Sequence, residues 1–217
     1  MVTQFFGQSS FLKLSVVSQY SVVPCPYPDD LELYAALGCG FQTGAGTILN
    51  GLRPSRDDAI VIFGAGTVGL AAVMAAKVLD LHQIIVVDIL ASKLELAKDL
   101  GATHVIDSTK VSDIARECQE ITGGGAQFVL ECTGVSAVID KILDCACCGG
   151  TAAIIGSPKP DFVLGIDPEK LLHENKTLRG ICQGDSVAKT VCAPKVPTYP
   201  MPANLVFSVH PRDDGAT

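Results

Sequence analysis

The chain has 217 residues, of which 48% are hydrophobic and 18% are charged, and this composition excludes wholesale disorder. Its 16 basic and 23 acidic side chains give a net charge of −7, which argues against nucleic acid or an anionic membrane as the main partner. The nine cysteines form no regularly spaced framework, so we expect a reducing, cytoplasmic compartment.

The sequence pattern of residues 1–28 predicts short β-strands, because Leu14 and Val16 lie in a stretch rich in β-forming residues. Three prolines then interrupt this stretch. This N-terminus lacks a basic start followed by a long apolar run, so we expect no signal peptide. The acidic pair that begins at Asp29 predicts a short helix, since acidic side chains favour the positive end of a helix. The segment GCGFQTGAGTILNGL at 38–52 is glycine-rich at first and then helical in pattern.

From residue 59 onward, six apolar runs alternate with helical patterns. Strands that are apolar along their whole length are typical of a parallel sheet that is buried on both faces. The pattern predicts an α/β fold, a doubly wound Rossmann domain with six parallel strands and helices on both sides. The predicted strands are AIVIF (59–63), IIVVD (84–88), THVI (103–106), QFVLE (127–131), GTAAII (150–155) and TLRGIC (177–182).

Between these strands, apolar stripes at helical spacing predict amphipathic helices. One stripe is centred on Ala97 and another on Cys118. A third runs from Val138 to Cys145 and is predicted to end at the glycine pair 149–150, with Cys145 and Cys148 on one helix face. We interpret this cysteine cluster as small buried hydrophobic residues rather than metal ligands.

The strongest motif is the G-x-G-x-x-G turn formed by Gly64, Gly66 and Gly69, between a strand and a helix. Gly64 would allow the tight turn, Gly66 the approach of a pyrophosphate, and Gly69 close packing of the helix on the strand. A glycine-rich packing turn is the alternative. The uncharged run 59–76 reaches the length of a short membrane span, but a dinucleotide-binding turn explains its glycines better.

Asp88 ends the next predicted strand, 19 residues after the third glycine. A carboxylate there accepts hydrogen bonds from the adenosine ribose hydroxyls and repels a 2′-phosphate, so NAD is favoured over NADP. Lys93 is either a ligand of the adenosine end or a solvated lysine on a helix face. No P-loop, nucleophile elbow or H-E-x-x-H motif occurs in the chain.

Several of these segments together resemble the zinc-type medium-chain alcohol dehydrogenases, over about residues 4–186. The resemblance implies a GroES-like catalytic domain beside a Rossmann coenzyme domain, and zinc-assisted hydride transfer between an alcohol and NAD. The segments FFGQSSF (5–11) and GICQGDS (180–186) look most like aryl- or benzyl-alcohol dehydrogenases. The family likeness itself lies in GCGFQTGAGTILNGL (38–52), the glycine turn, Asp88 and KLELAKDLGATHVID (93–107).

The resemblance also implies roles for individual residues. Cys39 matches a zinc ligand, Thr43 a position beside the nicotinamide, and Val68 one that backs the nicotinamide ring. The strand TLRGICQG at 177–184 matches the one that pairs across the family's dimer, which implies a homo-oligomer. Four further positions match segments that line the nicotinamide half: Gly134, Ile155, Gly156 and Ser157.

The family's other two zinc ligands would lie upstream of the matched region, so we expect a coenzyme domain cut at both ends. We predict a remnant of the GroES-like domain at 1–35, the NAD-binding Rossmann domain at 36–186 and a proline-rich tail at 187–217. No catalytic residue is predicted, and Cys39 alone is not expected to hold zinc. The partners expected are NAD and a small alcohol or aldehyde. A non-catalytic NAD-binding or dimerising fragment and a zinc-independent quinone reductase relative are the alternatives.

Overall fold

The structure is a computed structural model that describes residues 16, 22–23 and 35–187. By its internal contacts the chain divides into two compact units, Cys39–Ser186 and Met1–Gly38 with Val187–Thr217. The predicted N-terminal strands, the short helix after Asp29 and the tail after Val187 lie outside the described residues. The sheet and the candidate site both belong to the unit Cys39–Ser186.

The predicted six-stranded parallel sheet is confirmed. Its strands lie in the order β3-β2-β1-β4-β5-β6, so the direction of the crossovers reverses between β1 and β4. Ligands of doubly wound sheets bind outside the carboxyl ends of the strands at such a reversal. The strands are β1 Ala59–Phe63, β2 Gln83–Asp88, β3 His104–Asp107, β4 Ala126–Glu131, β5 Ala146–Ile154 and β6 Thr177–Gly180.

The core lies along the middle of this sheet. All five residues of β1 are buried, as are the four central residues of β2. Both strands are rich in β-branched residues, which suit a pleated surface that is covered on both faces. The helices supply the cover, chiefly the helix Thr67–Val78, whose seven buried residues include four alanines.

Helical segments connect the strands and precede β1. None of those in the described ranges is long and apolar enough to cross a membrane, and the run 59–76 forms a strand, a turn and most of a helix instead. Helix α1 has an α-helical centre, Gln42–Gly46, between π-helical turns at Leu37–Phe41 and Thr47–Leu52. The others are α2 Thr67–Val78, α3 Ala91–Leu100, α4 Ile114–Thr122, α5 Ser136–Ile139, α6 Ile142–Cys145 and α7 Pro168–His173, with a 3₁₀ turn at Gln183–Asp185.

The predicted third helix is wrong in its extent. Two four-residue helices, α5 and α6, replace it, and β5 begins at Ala146, directly after Cys145. The glycine pair 149–150 therefore lies inside a strand, where the pairing with β4 shifts register and Gly149 has a positive φ of 76°. Cys148 is exposed on this strand and shares no helix face with the buried Cys145.

Helix α1 packs on α2 with almost no side chain between them. A Cβ at Gly44 would lie 2.0 Å from the carbonyl oxygen of Val68, so only glycine permits this approach. The turn after β6 closes on the other side of α1, because a Cβ at Gly46 would lie 2.1 Å from the Ser186 hydroxyl. These contacts place α1 at the carboxyl end of the sheet, next to the start of α2.

Candidate functional site

The glycine turn joins β1 to α2 at the point where the strand order reverses. Gly64 has a φ of 93°, which disfavours residues with a Cβ, and its N–H donates to the Val87 carbonyl at 2.8 Å. A Cβ at Gly69 would lie 1.8 Å from the Gly64 carbonyl oxygen, so α2 begins directly against the turn. The predicted roles of these two glycines agree with this geometry.

Gly66 differs from its neighbours because it faces open space. It is the N-cap of α2 and is exposed, and a Cβ built on it would have no atom of the described residues within 4 Å. No side chain of the described ranges caps this 12-residue helix, so the N–H groups of its first turn have no side-chain acceptor among them. An uncapped helix N-terminus beside free space suits an anion such as a pyrophosphate.

Asp88 ties the end of β2 to the glycine turn. Its Oδ2 accepts a hydrogen bond from the Ala65 N–H at 2.7 Å. Its Oδ1 accepts from the N–H groups of Ile89 and Leu90 at 2.8 and 3.0 Å. A carboxylate oxygen accepts about two hydrogen bonds, so Oδ2 retains capacity for one more. Accepting from both ribose hydroxyls would require Asp88 to release a backbone N–H.

A second carboxylate lies opposite Asp88 on the outer strand. Asp107 is its register partner on β3 and pairs with Lys110 at 2.8 Å. Hydrogen bonds from Lys110 and then Thr109 lower the pKa of Asp107 to about 2. This carboxylate is therefore engaged locally. Lys93, half-buried on α3, forms no ion pair within the described part of the chain.

The loops after β4 and β5 meet over Glu131, a residue that the sequence analysis missed. Glu131 ends β4, is fully buried, and accepts hydrogen bonds from the backbone N–H groups of Thr133 and Gly134. Its main-chain oxygen accepts from the N–H groups of Ile155 and Gly156 at 2.9 and 3.0 Å. A charged residue at the end of a buried strand was the available signal, the same one that marked Asp88.

The four positions predicted to line the nicotinamide half thus lie in one place. A Cβ at Gly134 would lie 2.4 Å from the carbonyl oxygen of Ser157, so the two loops touch through their backbones. The glycine turn approaches the loop after β4, since a Cβ at Gly64 would lie 2.8 Å from the Thr133 side chain.

Cys132 lies in the loop after β4. Burial, and then the Glu131 carboxylate, raise the pKa of its thiol, which is therefore protonated at neutral pH.

Thr43 and Val68 come together through the contact between α1 and α2. Thr43 is 8% exposed, and its carbonyl accepts from the Thr47 hydroxyl at 2.7 Å. Val68 is half-buried in the first turn of α2, where its own carbonyl oxygen lies against Gly44. Both residues therefore lie beside the glycine turn, near the space outside the carboxyl ends of β1 and β4, which we call the crevice.

Cys39 is exposed on the first turn of α1. Its neighbour Gly40 packs against the start of α2, because a Cβ there would lie 2.8 Å from the Thr67 side chain. Within the described ranges, no three histidine, cysteine, aspartate or glutamate side chains converge on a point that could hold a metal. A catalytic zinc takes about three protein ligands, so the described residues do not fit one.

Comparisons with known proteins agree on one family. A family profile described as "Zinc-binding dehydrogenase" matches residues 67–193. The geraniol dehydrogenase of Castellaniella defragrans is 37% identical over 184 residues, which are 85% of this chain and 49% of that protein. A crystal structure of an alcohol dehydrogenase zinc-binding domain protein from Burkholderia ambifaria is 42% identical, with a TM-score of 0.81, and the match covers 87% of this chain and 50% of that one.

A second crystal structure, benzyl alcohol dehydrogenase from Acinetobacter calcoaceticus, is 41% identical with a TM-score of 0.80. That match covers 85% of this chain and 51% of the other. The chain thus spans about half the length of these relatives.

Alanine substitutions at two glycines of the turn test whether a pyrophosphate binds at the start of α2. Gly66→Ala should keep the melting temperature within about 2 °C of the unsubstituted protein and raise the Kd for NADH about tenfold or more, because its methyl group meets no protein atom and occupies the open space. Gly69→Ala is the matched control and should lower the melting temperature by about 5 °C, since the added carbon overlaps backbone. Calorimetry and thermal melts measure both. Unchanged NADH affinity in Gly66→Ala would contradict the pyrophosphate position.

Proposed function

Because the chain belongs to the zinc-binding dehydrogenase family, as its resemblance predicted, we propose that it binds NAD as the coenzyme domain of an alcohol dehydrogenase. The observation that carries this proposal is the open, uncapped start of α2 at Gly66, where the strand order reverses between β1 and β4. A turn that served packing alone would have no reason to leave this position open.

The adenosine half of NAD would lie over β1 and β2. The N–H groups at the start of α2 would donate to the pyrophosphate, and the Oδ2 of Asp88 would accept from a ribose hydroxyl. Ile89 and Leu90 are exposed beside Asp88 and offer an apolar surface to the adenine ring. The Lys93 ammonium group would lie at the adenosine end of the coenzyme.

The nicotinamide half would lie over β4 and β5, on the other side of the reversal. Gly134, Ile155, Gly156 and Ser157 would line its floor through their backbone groups, because the two loops meet there. Val68 would back the ring, with Thr43 beside it. When bound, NAD supplies an electrophilic ring carbon that accepts a hydride. These residues would bind the ring, orient it and limit the access of water to it.

The substrate class follows from the relatives. Two of them are named for geraniol and benzyl alcohol, both primary alcohols. We propose an aryl or other primary alcohol as the hydride donor of the complete enzyme.

The seven described cysteines are all free thiols, which supports a reducing compartment, and we propose the cytoplasm.

Zinc chemistry does not fit the described residues, since Cys39 is a single exposed ligand. We therefore propose that the chain by itself binds NAD without oxidising alcohols. A second role, association with another copy, is favoured by β6. Among the described strands it is last in the sheet, and three of its four residues are exposed. Edge strands can pair with another chain.

The NAD preference should depend on Asp88. We expect the Kd for NADPH to exceed that for NADH about tenfold or more, because a 2′-phosphate would lie beside a carboxylate. Asp88→Ala should reduce this ratio towards one. Asp107→Asn removes the neighbouring carboxylate, which Lys110 and Thr109 already engage, and should leave the ratio unchanged. Equal affinities in the unsubstituted protein, measured by calorimetry, would overturn the role of Asp88.

The purified, zinc-supplemented chain should contain no stoichiometric zinc and form no NADH from benzyl alcohol and NAD. One thiolate cannot hold zinc against water and buffer ligands, so Cys39→Ala should leave the metal content unchanged. Elemental analysis and absorbance of NADH are the measurements, and binding of added NADH in the same sample is the control for folding. One zinc per chain, lost in Cys39→Ala and accompanied by turnover, would show that the site is complete.

Association through residues 177–184 should give a dimer in sedimentation experiments. Gly180→Lys should weaken it, because position 180 lies at the centre of 177–184, where a two-fold contact brings each residue next to its own copy and two like charges would meet. His104→Lys is the matched control, an exposed position on the opposite edge strand β3. A chain that stays monomeric at all concentrations, or a dimer that only His104→Lys disrupts, would contradict this interface.

A further inference from the structure

We propose that Glu131 is a positioning residue that makes the crevice favour the oxidised, cationic nicotinamide over the neutral reduced ring. The inference rests on the proposed function, namely that NAD binds with its nicotinamide half over β4 and β5. It assigns a task to the one carboxylate of the described residues that is completely buried.

The first step is the ionisation of Glu131. Its Oε1 accepts from the Thr133 N–H at 2.6 Å, from the Thr133 hydroxyl and from the Gly134 N–H at 3.0 Å. The Thr133 hydroxyl itself accepts from the Val135 N–H at 3.0 Å, which directs its own proton towards Glu131. Each hydrogen-bonding neighbour of the carboxylate, including the Gly134 N–H at 3.2 Å from Oε2, is therefore a donor, and such a set of donors suits the ionised, acceptor-only form.

The second step is that no cation neutralises this charge. None of the ion pairs in the described part of the chain includes Glu131. Backbone N–H groups and one hydroxyl stabilise the carboxylate instead, so its hydrogen bonds are satisfied while its net charge remains. A buried, uncompensated charge acts over a longer range than a surface charge, because little water screens it.

The third step is position. Glu131 is the register partner of Phe63, the last residue of β1, and so lies beside the point where the strand order reverses. A Cβ on Gly156 would lie 2.6 Å from the Glu131 Oε2, so only backbone separates the carboxylate from the β5 loop. That loop is the proposed floor of the nicotinamide half. The charge therefore lies directly beneath the place where the ring would bind.

The fourth step is the charge of the ring. Oxidised nicotinamide carries one positive charge, and hydride uptake, two electrons with one proton, makes the ring neutral. A fixed negative charge beneath the ring stabilises the bound oxidised form and has little effect on the reduced form. The same hydrogen bonds also hold the loop after β4. The carboxylate therefore fixes the position of this loop beneath the ring and makes the electrostatic potential there negative.

The experiment compares the Kd for NAD⁺ with the Kd for NADH in the full chain and in two variants. Glu131→Gln removes the charge and should raise the ratio of the two constants, NAD⁺ over NADH, about tenfold. Glu131→Asp keeps the charge on a shorter side chain and should keep the ratio within about twofold, even where both affinities fall. A residue that only supported the loop would change both constants in parallel.

The outcomes separate the two proposals. Binding of both coenzymes with an unchanged ratio in Glu131→Gln would overturn the role of Glu131 and leave the proposed function standing. No binding of either coenzyme by the unsubstituted chain would overturn the proposed function and this inference with it. If Glu131→Gln fails to fold, infrared difference spectra of the unsubstituted chain with isotope-labelled glutamate provide the test. A carboxylate band shifted more by NAD⁺ than by NADH would support the inference, and equal shifts would overturn it.

Discussion

The contact of Gly69 with the Gly64 carbonyl oxygen is the constraint on which the rest of this unit depends. The space for a Cβ is absent there, and the same is true where Gly44 meets the Val68 carbonyl oxygen. Strand β1, helix α2 and helix α1 therefore meet through their backbones. Because of this approach the start of α2 lies at the carboxyl end of the central strand, and its N–H groups face the crevice. A side chain at either glycine would separate these elements and displace the helix start from the site.

Both strands that flank β1 end in an acidic residue, and the two residues differ in their surroundings. Asp88 on β2 is half-buried and keeps part of its hydrogen-bonding capacity, while Glu131 on β4 is fully buried and surrounded by donors. Each side chain also holds a loop, Asp88 through the Ala65 N–H and Glu131 through the Gly134 N–H. One carboxylate is thus available to hydroxyl groups at the surface, and the other acts through its charge from below.

The apolar runs predicted all six strands. Burial on both faces accounts for the runs of β1 and β2, whereas the edge strand β6 is mostly exposed although its sequence also forms an apolar run. The residues 138–150 were harder to predict, since glycines such as Gly149 stop helices as readily as they form bulges in strands. The glycine turn and Asp88 were recognisable from spacing alone. Glu131 has part of the same signal, an acidic residue at the end of a buried strand, but its role also depends on donors from Thr133 and Gly134 that only the folded loop brings to it.

The turn after β6 returns to the helix that precedes β1. Gly184 packs against the Gln42 carbonyl oxygen, and the Asn50 amide donates to the Ser186 hydroxyl at 3.1 Å. The helix at the start of the unit Cys39–Ser186 and the turn at its end are therefore neighbours. A unit whose entrance and exit lie side by side can be inserted into another chain, or circularly permuted, without stretching its connections. This unit is for this reason suited to transfer as a module, since its first helix and its last turn occupy one small area of its surface.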